Sequence, residues 1–161
     1  MLSHCEDQAA GLVFQSLSQC PEQLELLATW HHQAWGTGSL DERRQRLQKH
    51  LSEDAVPTSF IAFLNGQPVG SISLVHYQRL GESPNSVWIA NLYVIEAKRR
   101  QGIGEALLRH AEQYARQLLL PQLFLYATDQ EAFYQKRGWL VRRRGEFRRQ
   151  PAAVMFYPLR A

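Results

Sequence analysis

Cysteine is scarce in this sequence, because the 161 residues include only Cys5 and Cys20. Two cysteines do not build a disulfide framework or a cysteine-rich zinc site, and we expect both in a peripheral N-terminal part. No apolar run is long enough to span a membrane, and the opening MLSHCEDQAA lacks the basic region and apolar stretch of a signal peptide. Low-complexity tracts, internal repeats and Pro/Ser-rich linkers are also missing. These absences predict one domain over residues 1–161, located in the cytoplasm and without a membrane partner.

Nucleic-acid-binding signatures are missing as well, although the chain is basic, with 18 Lys and Arg against 15 Asp and Glu. Zinc-finger spacing, heptads and the aromatic ribonucleoprotein motif do not occur, so we expect no nucleic-acid partner. The positive charge is concentrated at Lys98–Arg100 and at Arg142–Arg144 with Arg148 and Arg149. We predict that the second cluster forms a solvated basic hairpin, with recognition of an acidic acceptor as the alternative.

What the sequence does contain is a strongly amphipathic segment that begins at Ile103. Its apolar positions recur at helical spacing, which predicts a helix with one buried face: Ile103, Ala106, Leu107, His110, Ala111, Tyr114, Ala115 and Leu118. On this stripe His110 is expected to be a core histidine. The other side carries Glu105 four residues before Arg109 and Glu112 four before Arg116, which predicts a solvated face.

The run Arg99-Arg100-Gln101-Gly102-Ile103-Gly104 joins this helix to an apolar strand, Val87–Val94. Two glycines allow backbone amides to converge on an anion, and the helix start adds N–H groups without intrahelical acceptors. The helix dipole and two arginines add positive charge. The junction therefore predicts a phosphate site, with an ordinary Gly-rich turn into a helix as the alternative.

The remaining segments predict alternating strands and helices. Two positions resemble capping boxes, Ser39 with Glu42 and Thr128 with Glu131, each at the start of a helix. Asn65-Gly66 predicts a tight hairpin turn. The predicted strands are Leu12–Ser16, Thr58–Leu64, Val69–Val75, Gln122–Ala127, Trp139–Arg144 and Ala153–Tyr157. The predicted helices are Pro21–Trp35, which ends at Gly36, Leu40–Leu51, and a short helix that contains Tyr134 and ends at Gly138. Residues Gly81–Ser86 are predicted to form a loop.

Two motifs in this order resemble the GNAT superfamily of acetyl-coenzyme A dependent N-acetyltransferases. The first is Leu92-Tyr93-Val94, a short link, and the R-x-x-G-x-G run from Arg99 to Gly104; the second is Phe133-Tyr134 followed by Gly138-Trp139. The resemblance implies an α/β fold, with a mixed central sheet of about seven strands flanked by about four helices. It also implies that the sheet is splayed between its fourth and fifth strands.

The resemblance further implies acetyl-CoA as co-substrate and no metal. The backbone of Leu92 and Val94 would bind the pantetheine arm, and the phosphate end would be held by Arg99, Arg100, Gln101, Gly102, Ile103 and Gly104. Tyr134 matches the tyrosine that protonates the departing thiolate in many members. An ordinary phenol keeps its proton at neutral pH, so it can donate one; the alternative is an aromatic packed under the sheet.

The resemblance implies less about the acceptor amine and about the base that removes its proton. Many relatives use a carboxylate on the central strand, whereas this chain has none between Trp88 and Leu92. Asn91 can orient an amine or a water but cannot take a proton. His76 is a candidate base, with a solvated loop histidine as the alternative.

Around Thr128-Asp129-Gln130 and Phe133-Tyr134 this sequence resembles one branch of the superfamily in particular. That branch includes the actin N-terminal acetyltransferase and bacterial relatives. Trp35 and Arg43 fit that branch and would line the acceptor cleft, or equally be a packed aromatic and a surface charge.

The resulting hypothesis is direct acetyl transfer to an amine, either a small molecule or a peptide N-terminus, by a monomer or homodimer. Within the enzyme class, an antibiotic or metabolite acetylase is an alternative. A sensor that binds acyl-CoA without turnover is the alternative outside it.

Overall fold

The computed structural model describes residues 11–36, 38–77, 82–147 and 149–160. The predictions that name Cys5, Gly81 and Arg148 therefore fall partly or wholly outside the described residues. Within them, seven strands are present: β1 Leu12–Ser16, β2 Thr58–Leu64, β3 Gln67–His76, β4 Val87–Val94, β5 Gln122–Ala127, β6 Leu140–Phe147 and β7 Gln150–Pro158. The four α-helices of the same residues are α1 Leu24–Trp35, α2 Leu40–Gln48, α3 Ile103–Gln117 and α4 Glu131–Gln135. The predicted order of elements is confirmed.

The strands form one mixed sheet in the order β1-β2-β3-β4-β5-β7-β6. The β2–β3 hairpin turns at Asn65 and Gly66, whose φ angles of 52° and 79° are those of a tight turn. β4 and β5 are parallel, and their described pairing is limited to Trp88 opposite Phe124. Such a short ladder confirms the predicted fold class, a mixed sheet that opens between its fourth and fifth strands.

The N-terminal helices are shorter than predicted. Pro21–Gln23 forms a 3-10 turn, and α1 begins only at Leu24. α2 likewise gives way to a 3-10 turn at Lys49–Leu51, a common way for an α-helix to end. Of the capping box predicted at Ser39, the structure gives one bond, in which Ser39 Oγ accepts the Glu42 N–H at 3.1 Å; Gly36, at φ 59°, ends α1 as predicted.

The capping box predicted for α4 is wrong. Its N-cap is Gln130, which makes no side-chain cap bond, and Thr128 Oγ1 instead donates to Asp129 Oδ1 at 3.4 Å. The helix is held from its other end, because the N–H groups of Arg137 and Trp139 both donate to the Tyr134 carbonyl, at 3.0 and 3.1 Å. The chain then turns at Gly138.

The chain divides into two compact units. One comprises residues up to Val75 together with Ala90–Ala111, and the other comprises His76–Ile89 and the residues from Glu112 onward. Strand β4 and helix α3 each contribute residues to both units.

In the first unit, strands β2 and β3 are packed on both faces, whereas β1 leaves Val13 56% exposed. α1, α2 and the following turn cover one face with a core that includes Leu27, Trp30 and Ile61. Cys20, expected in a peripheral part, is buried in this core, where its thiol donates to the Ser16 carbonyl. On the other face the His110 ring of α3 stacks on Phe14 at 4.4 Å and meets Phe60 edge-on at 4.5 Å; burial lowers its pKa.

The second unit contains the antiparallel set β5, β7 and β6. The solvated position predicted for Glu112 is wrong: Glu112 is 1% exposed, and its Oε2 accepts the Trp139 Nε1–H at 3.1 Å. Arg116, its predicted partner, donates instead to the Tyr157 hydroxyl at 3.3 Å. The buried face of α3 is therefore wider than the apolar pattern indicated. It includes Glu112, because the buried indole N–H of Trp139 requires a hydrogen-bond acceptor.

The arginines of the basic hairpin β6–β7 keep between 38% and 66% of their side chains exposed, as a solvated hairpin should, but they are also paired with carboxylates. Arg142 and Arg143 both form ion pairs with Glu82, a carboxylate whose side chain is 6% exposed. Arg144 pairs with Glu131 at 2.7 Å. These arginines are tied to carboxylates of their own unit, so they are not a free positive surface.

Candidate active site

The predicted phosphate loop lies in the first unit, between β4 and α3. After Val94 the chain makes a 3-10 turn at Glu96–Lys98, and the first hydrogen bond of α3 runs from the Ala106 N–H to the Gly102 carbonyl at 3.0 Å. The amides of Ile103 and Gly104 precede that donor, so they have no acceptor within the helix. They lie at the positive end of the dipole of a 15-residue helix.

The loop backbone is shaped for a close approach. Arg100 and Gly102 have φ angles of 63° and 84°, in the left-handed region that glycine adopts without cost. A β-carbon built on Gly102 would meet nothing within 4 Å. The space above Gly102 is therefore open, and together with the helix start it suits an anion.

The two loop arginines differ in their surroundings. Arg99 Nε donates to the Val94 carbonyl at 2.8 Å, and its guanidinium lies 5.6 Å from the centroid of the Tyr93 ring. Arg100 is exposed. Arg99 uses one of the two lone pairs of the Val94 carbonyl oxygen, so one acceptor position is left for a ligand.

The strand that leads into the loop is kinked at Asn91, which has a φ of 56° in the middle of β4. Close to this region β3 carries Gly70, where an added β-carbon would lie 2.6 Å from the Tyr93 carbonyl oxygen. The Ile95 N–H donates to the Val69 carbonyl at 2.9 Å. A glycine is therefore required at position 70, because the backbones of β3 and β4 come too close there for a β-carbon. A glycine inside an apolar strand is the sequence pattern that indicates such a close approach.

Sequence reasoning missed a row of buried polar groups on the face of the sheet that α1 and α2 cover. Asn91 Nδ2 donates to Ser73 Oγ at 3.4 Å, Ser73 Oγ lies 2.7 Å from Ser59 Oγ, and Ser59 Oγ lies 2.7 Å from His50 Nδ1. The signal was available: serine recurs at alternate positions of a strand that is otherwise apolar, which places hydroxyls on one buried face.

The electrostatics of this row are set by burial. Desolvation lowers the pKa of His50 to about 4. Next to the row, His31 Nε2 lies 3.4 Å from Ser71 Oγ, and burial followed by the positive charges of Arg43 and His50 lowers the pKa of His31 to about 3. Both imidazoles are therefore neutral at pH 7.

Two of the residues predicted to contact the acceptor lie on the same face. Trp35 is 39% exposed, with its ring 5.4 Å from His31 and 6.3 Å from Tyr93 of β4. Arg43 is 7% exposed, so it is not the surface charge offered as one alternative. Trp35 and Arg43 both lie near His31, and Asn91 bonds to Ser73 on the same face of β3.

The other two functional candidates lie in the second unit. His76 is exposed at the end of β3, and its Nδ1–H donates to the Ser86 carbonyl at 3.3 Å, as a loop histidine does. Tyr134 is partly buried, with the ring of Phe133 at 5.2 Å and that of Trp139 at 6.1 Å. Burial, and secondly the negative charge of Asp129, raise the pKa of Tyr134 to about 12, so its hydroxyl keeps its proton at physiological pH.

Within the described ranges, no three His, Cys, Asp or Glu side chains are grouped so that they could hold a metal ion. The helices of the same ranges also include none with the length and apolar character that crossing a membrane requires.

Comparison with known proteins adds three findings on fold. An aminoglycoside 6′-N-acetyltransferase complexed with coenzyme A is similar over 92% of this chain and 98% of its own, with TM-score 0.75 and 13% identity. Ard1 from Thermoplasma volcanium is similar over 94% and 99%, with TM-score 0.72 and 19% identity. A chimera that contains Vibrio cholerae spermidine N-acetyltransferase is similar over 92% and 96%, with TM-score 0.71 and 14% identity.

In sequence, no curated protein matches the chain. The model of the Acetyltransferase (GNAT) family does match it, over residues 21–139, which include both α1 and the Gly138-Trp139 pair. That match spans most of the chain, and it contains the loop, the kinked strand and Tyr134. The chain therefore belongs to the GNAT family of acetyltransferases and is an acyltransferase that uses acetyl-CoA.

Proposed function

We propose that this protein transfers the acetyl group of acetyl-CoA directly to an amine, with Tyr134 as the general acid. The observation that carries the proposal is the open space above Gly102 at the start of α3. Backbone N–H groups and a helix dipole meet there, which is the arrangement that a diphosphate needs.

The residues present fit the co-substrate. The amides of Ile103 and Gly104 and the guanidinium of Arg100 would hold the diphosphate, and the backbone of Leu92 and Val94 would hold the pantetheine arm. Acetyl-CoA supplies the activated thioester. Binding both substrates in one site removes the translational entropy cost of the reaction, a contribution of about 7 kcal/mol or more when alignment is good.

Tyr134 would donate its proton to the sulfur as the carbon–sulfur bond breaks. The raised pKa of Tyr134 supports this role, because the phenol still holds its proton at the moment when the thiolate forms. The ring is held by Trp139, whose indole N–H is fixed by the buried Glu112 carboxylate. A positioned acid of this kind contributes about 10²- to 10⁴-fold to the rate.

The acceptor would be a small amine or the N-terminus of a peptide. Trp35, Arg43 and Asn91 are the residues we propose for its binding. His76, through its second ring nitrogen, is the candidate base for strongly basic amines, which are almost entirely protonated at neutral pH. An α-amino group has a pKa of about 8, so about a tenth of it is unprotonated at pH 7, and it needs only water as the acceptor of its proton.

The test is release of CoA thiol with a panel that contains an aminoglycoside, spermidine and short peptides with free N-termini. We expect Tyr134→Phe to lower kcat by about 100-fold or more while CoA binding stays unchanged. Tyr157→Phe is the matched control, because it also removes a phenol beside Trp139 but should leave kcat near the wild-type value.

If the wild-type protein and Tyr134→Phe both bind CoA tightly and neither acetylates any member of the panel, the proposal is wrong and an acyl-CoA sensor is the better description. Equal kcat values for Tyr134→Phe and Tyr157→Phe would remove Tyr134 from the role of acid.

A further inference from the structure

We propose that Ser73, Ser59 and His50 are positioning residues, which hold the Asn91 side chain so that its amide oxygen receives the acceptor amine. This inference rests on the proposed function. It adds Ser73, Ser59 and His50 to the residues of the site and gives the Asn91 amide oxygen the role of hydrogen-bond acceptor for the amine. All four residues belong to the first unit.

The contacts form a continuous chain from the central strand into the core. Asn91 Nδ2 is 3.4 Å from Ser73 Oγ, and the two further links to Ser59 Oγ and His50 Nδ1 are both 2.7 Å. Ser59 and Ser73 are fully buried and directly opposite each other in the β2–β3 register, and His50 is 6% exposed. A chain of buried links between regular elements has little freedom to rearrange.

The structure places the amide nitrogen of Asn91, rather than its oxygen, toward the chain. An amide nitrogen can only donate, so Ser73 Oγ is the acceptor at this link. The Ser73 hydroxyl is then able to donate to Ser59, and Ser59 to the unprotonated nitrogen of a neutral His50. Because the NH2 group is turned toward Ser73, the Oδ1 atom on the opposite side of the amide is left to face a ligand.

The backbone supports the same assignment. Asn91 lies directly before Leu92, whose backbone we propose for pantetheine binding, and its φ of 56° turns it out of the regular strand pattern. Asparagine is one of few residues that adopt this conformation at small cost. A side chain that is fixed at both backbone and amide is suited to hold an amine next to the thioester.

In this role Asn91 binds and orients the amine but takes no proton. As the nitrogen–carbon bond forms and the carbon–sulfur bond breaks, the proton lost by the amine goes to His76 or to water, and the sulfur receives its proton from Tyr134. Ser73, Ser59 and His50 do not touch the reacting atoms.

The experiment compares Ser73→Ala with Ser71→Ala, using the amine of the panel that the wild-type protein acetylates best. Both serines are fully buried on the same face of β3 and each lies beside a polar partner, but only Ser73 contacts Asn91. We expect Ser73→Ala to raise KM for the amine about tenfold, the effect of one weakened hydrogen bond to a charged group. KM for acetyl-CoA should stay within about twofold, and Ser71→Ala should leave both constants unchanged.

Two more variants keep the test decisive if Ser73→Ala does not fold. Asn91→Gly removes the amide while keeping a residue that favours φ 56°, and it should raise KM for the amine by at least as much. Ser73→Thr keeps a hydroxyl at the link and should restore the amine KM toward the wild-type value.

An unchanged amine KM in Asn91→Gly, or equal amine KM values for Ser73→Ala and Ser71→Ala, would overturn the inference while the proposed function stands. If the wild-type protein acetylates no amine, the proposed function and this inference fall together.

Discussion

Gly102→Ala is the substitution that best separates a ligand-binding role of the loop from a structural one. Gly102 has a φ of 84°, and a β-carbon added there meets no atom within 4 Å. Gly66 offers a matched control, since it has a φ of 79°, equally open space and a place in the β2–β3 turn, away from the loop. The two variants impose the same backbone cost, and only one puts a methyl group where we place the diphosphate.

The expected magnitudes follow from these surroundings. An L-residue in the left-handed region costs about 1 kcal/mol, so each variant should lower Tm by about 3 °C. For Gly102→Ala, the methyl group would also cost at least one amide hydrogen bond to a charged oxygen, about 1.5–3 kcal/mol. This raises the Kd for CoA by about 10- to 100-fold, whereas Gly66→Ala should bind CoA as the wild-type protein does.

The assay is titration calorimetry with CoA alongside thermal melts of the protein without ligand. The reasoning is refuted if Gly102→Ala and Gly66→Ala bind CoA equally well, because the space above Gly102 would then not be occupied by the ligand. A much larger Tm loss in Gly102→Ala than in Gly66→Ala would also contradict it, since it would mean that the glycine is needed for packing.

Two predictions concern stability. Because burial lowers the pKa values of His31 and His50 from 6.5 to about 3 and about 4, the unfolded chain binds more protons below pH 6.5. The free energy of unfolding should therefore fall as the pH is lowered from 7 to 4, by about 3 kcal/mol from His50 alone, and urea titrations that show no such fall would contradict this. Gly70→Ala, whose methyl group would meet the Tyr93 carbonyl at 2.6 Å, should lower the free energy of unfolding by about 1–3 kcal/mol. Gly145→Ala has open space and no such contact, so an equal loss in that variant would show that the Tyr93 contact is not the cause.

Local patterns were sufficient for most of the elements. Strands Leu12–Ser16, Thr58–Leu64, Val87–Val94 and Gln122–Ala127 have the predicted bounds, because a short apolar run with flanking turn residues is a short-range property. The order of elements and the glycine-bearing loop before α3 were likewise visible, since caps, turns and a helix start depend on neighbours in sequence.

Interactions between distant segments could not be read in this way. Glu112 has the spacing of a solvated ion pair with Arg116, yet Trp139 buries it by supplying an indole donor from 27 positions further along the chain. The arginines of β6 are solvated as predicted, but their pairing with the buried Glu82, 60 positions away from Arg142 in the chain, has no local signal.

The sequence by itself therefore determined the family, the order of the elements and the glycine-bearing loop before α3, all of which follow from local spacing and backbone chemistry. Only the tertiary structure decided which polar groups are buried together. The alternate serines of β3 indicate hydroxyls on one buried face, but their partners at His50, Ser59 and Asn91 depend on which segments lie beside β3, and no single segment records that.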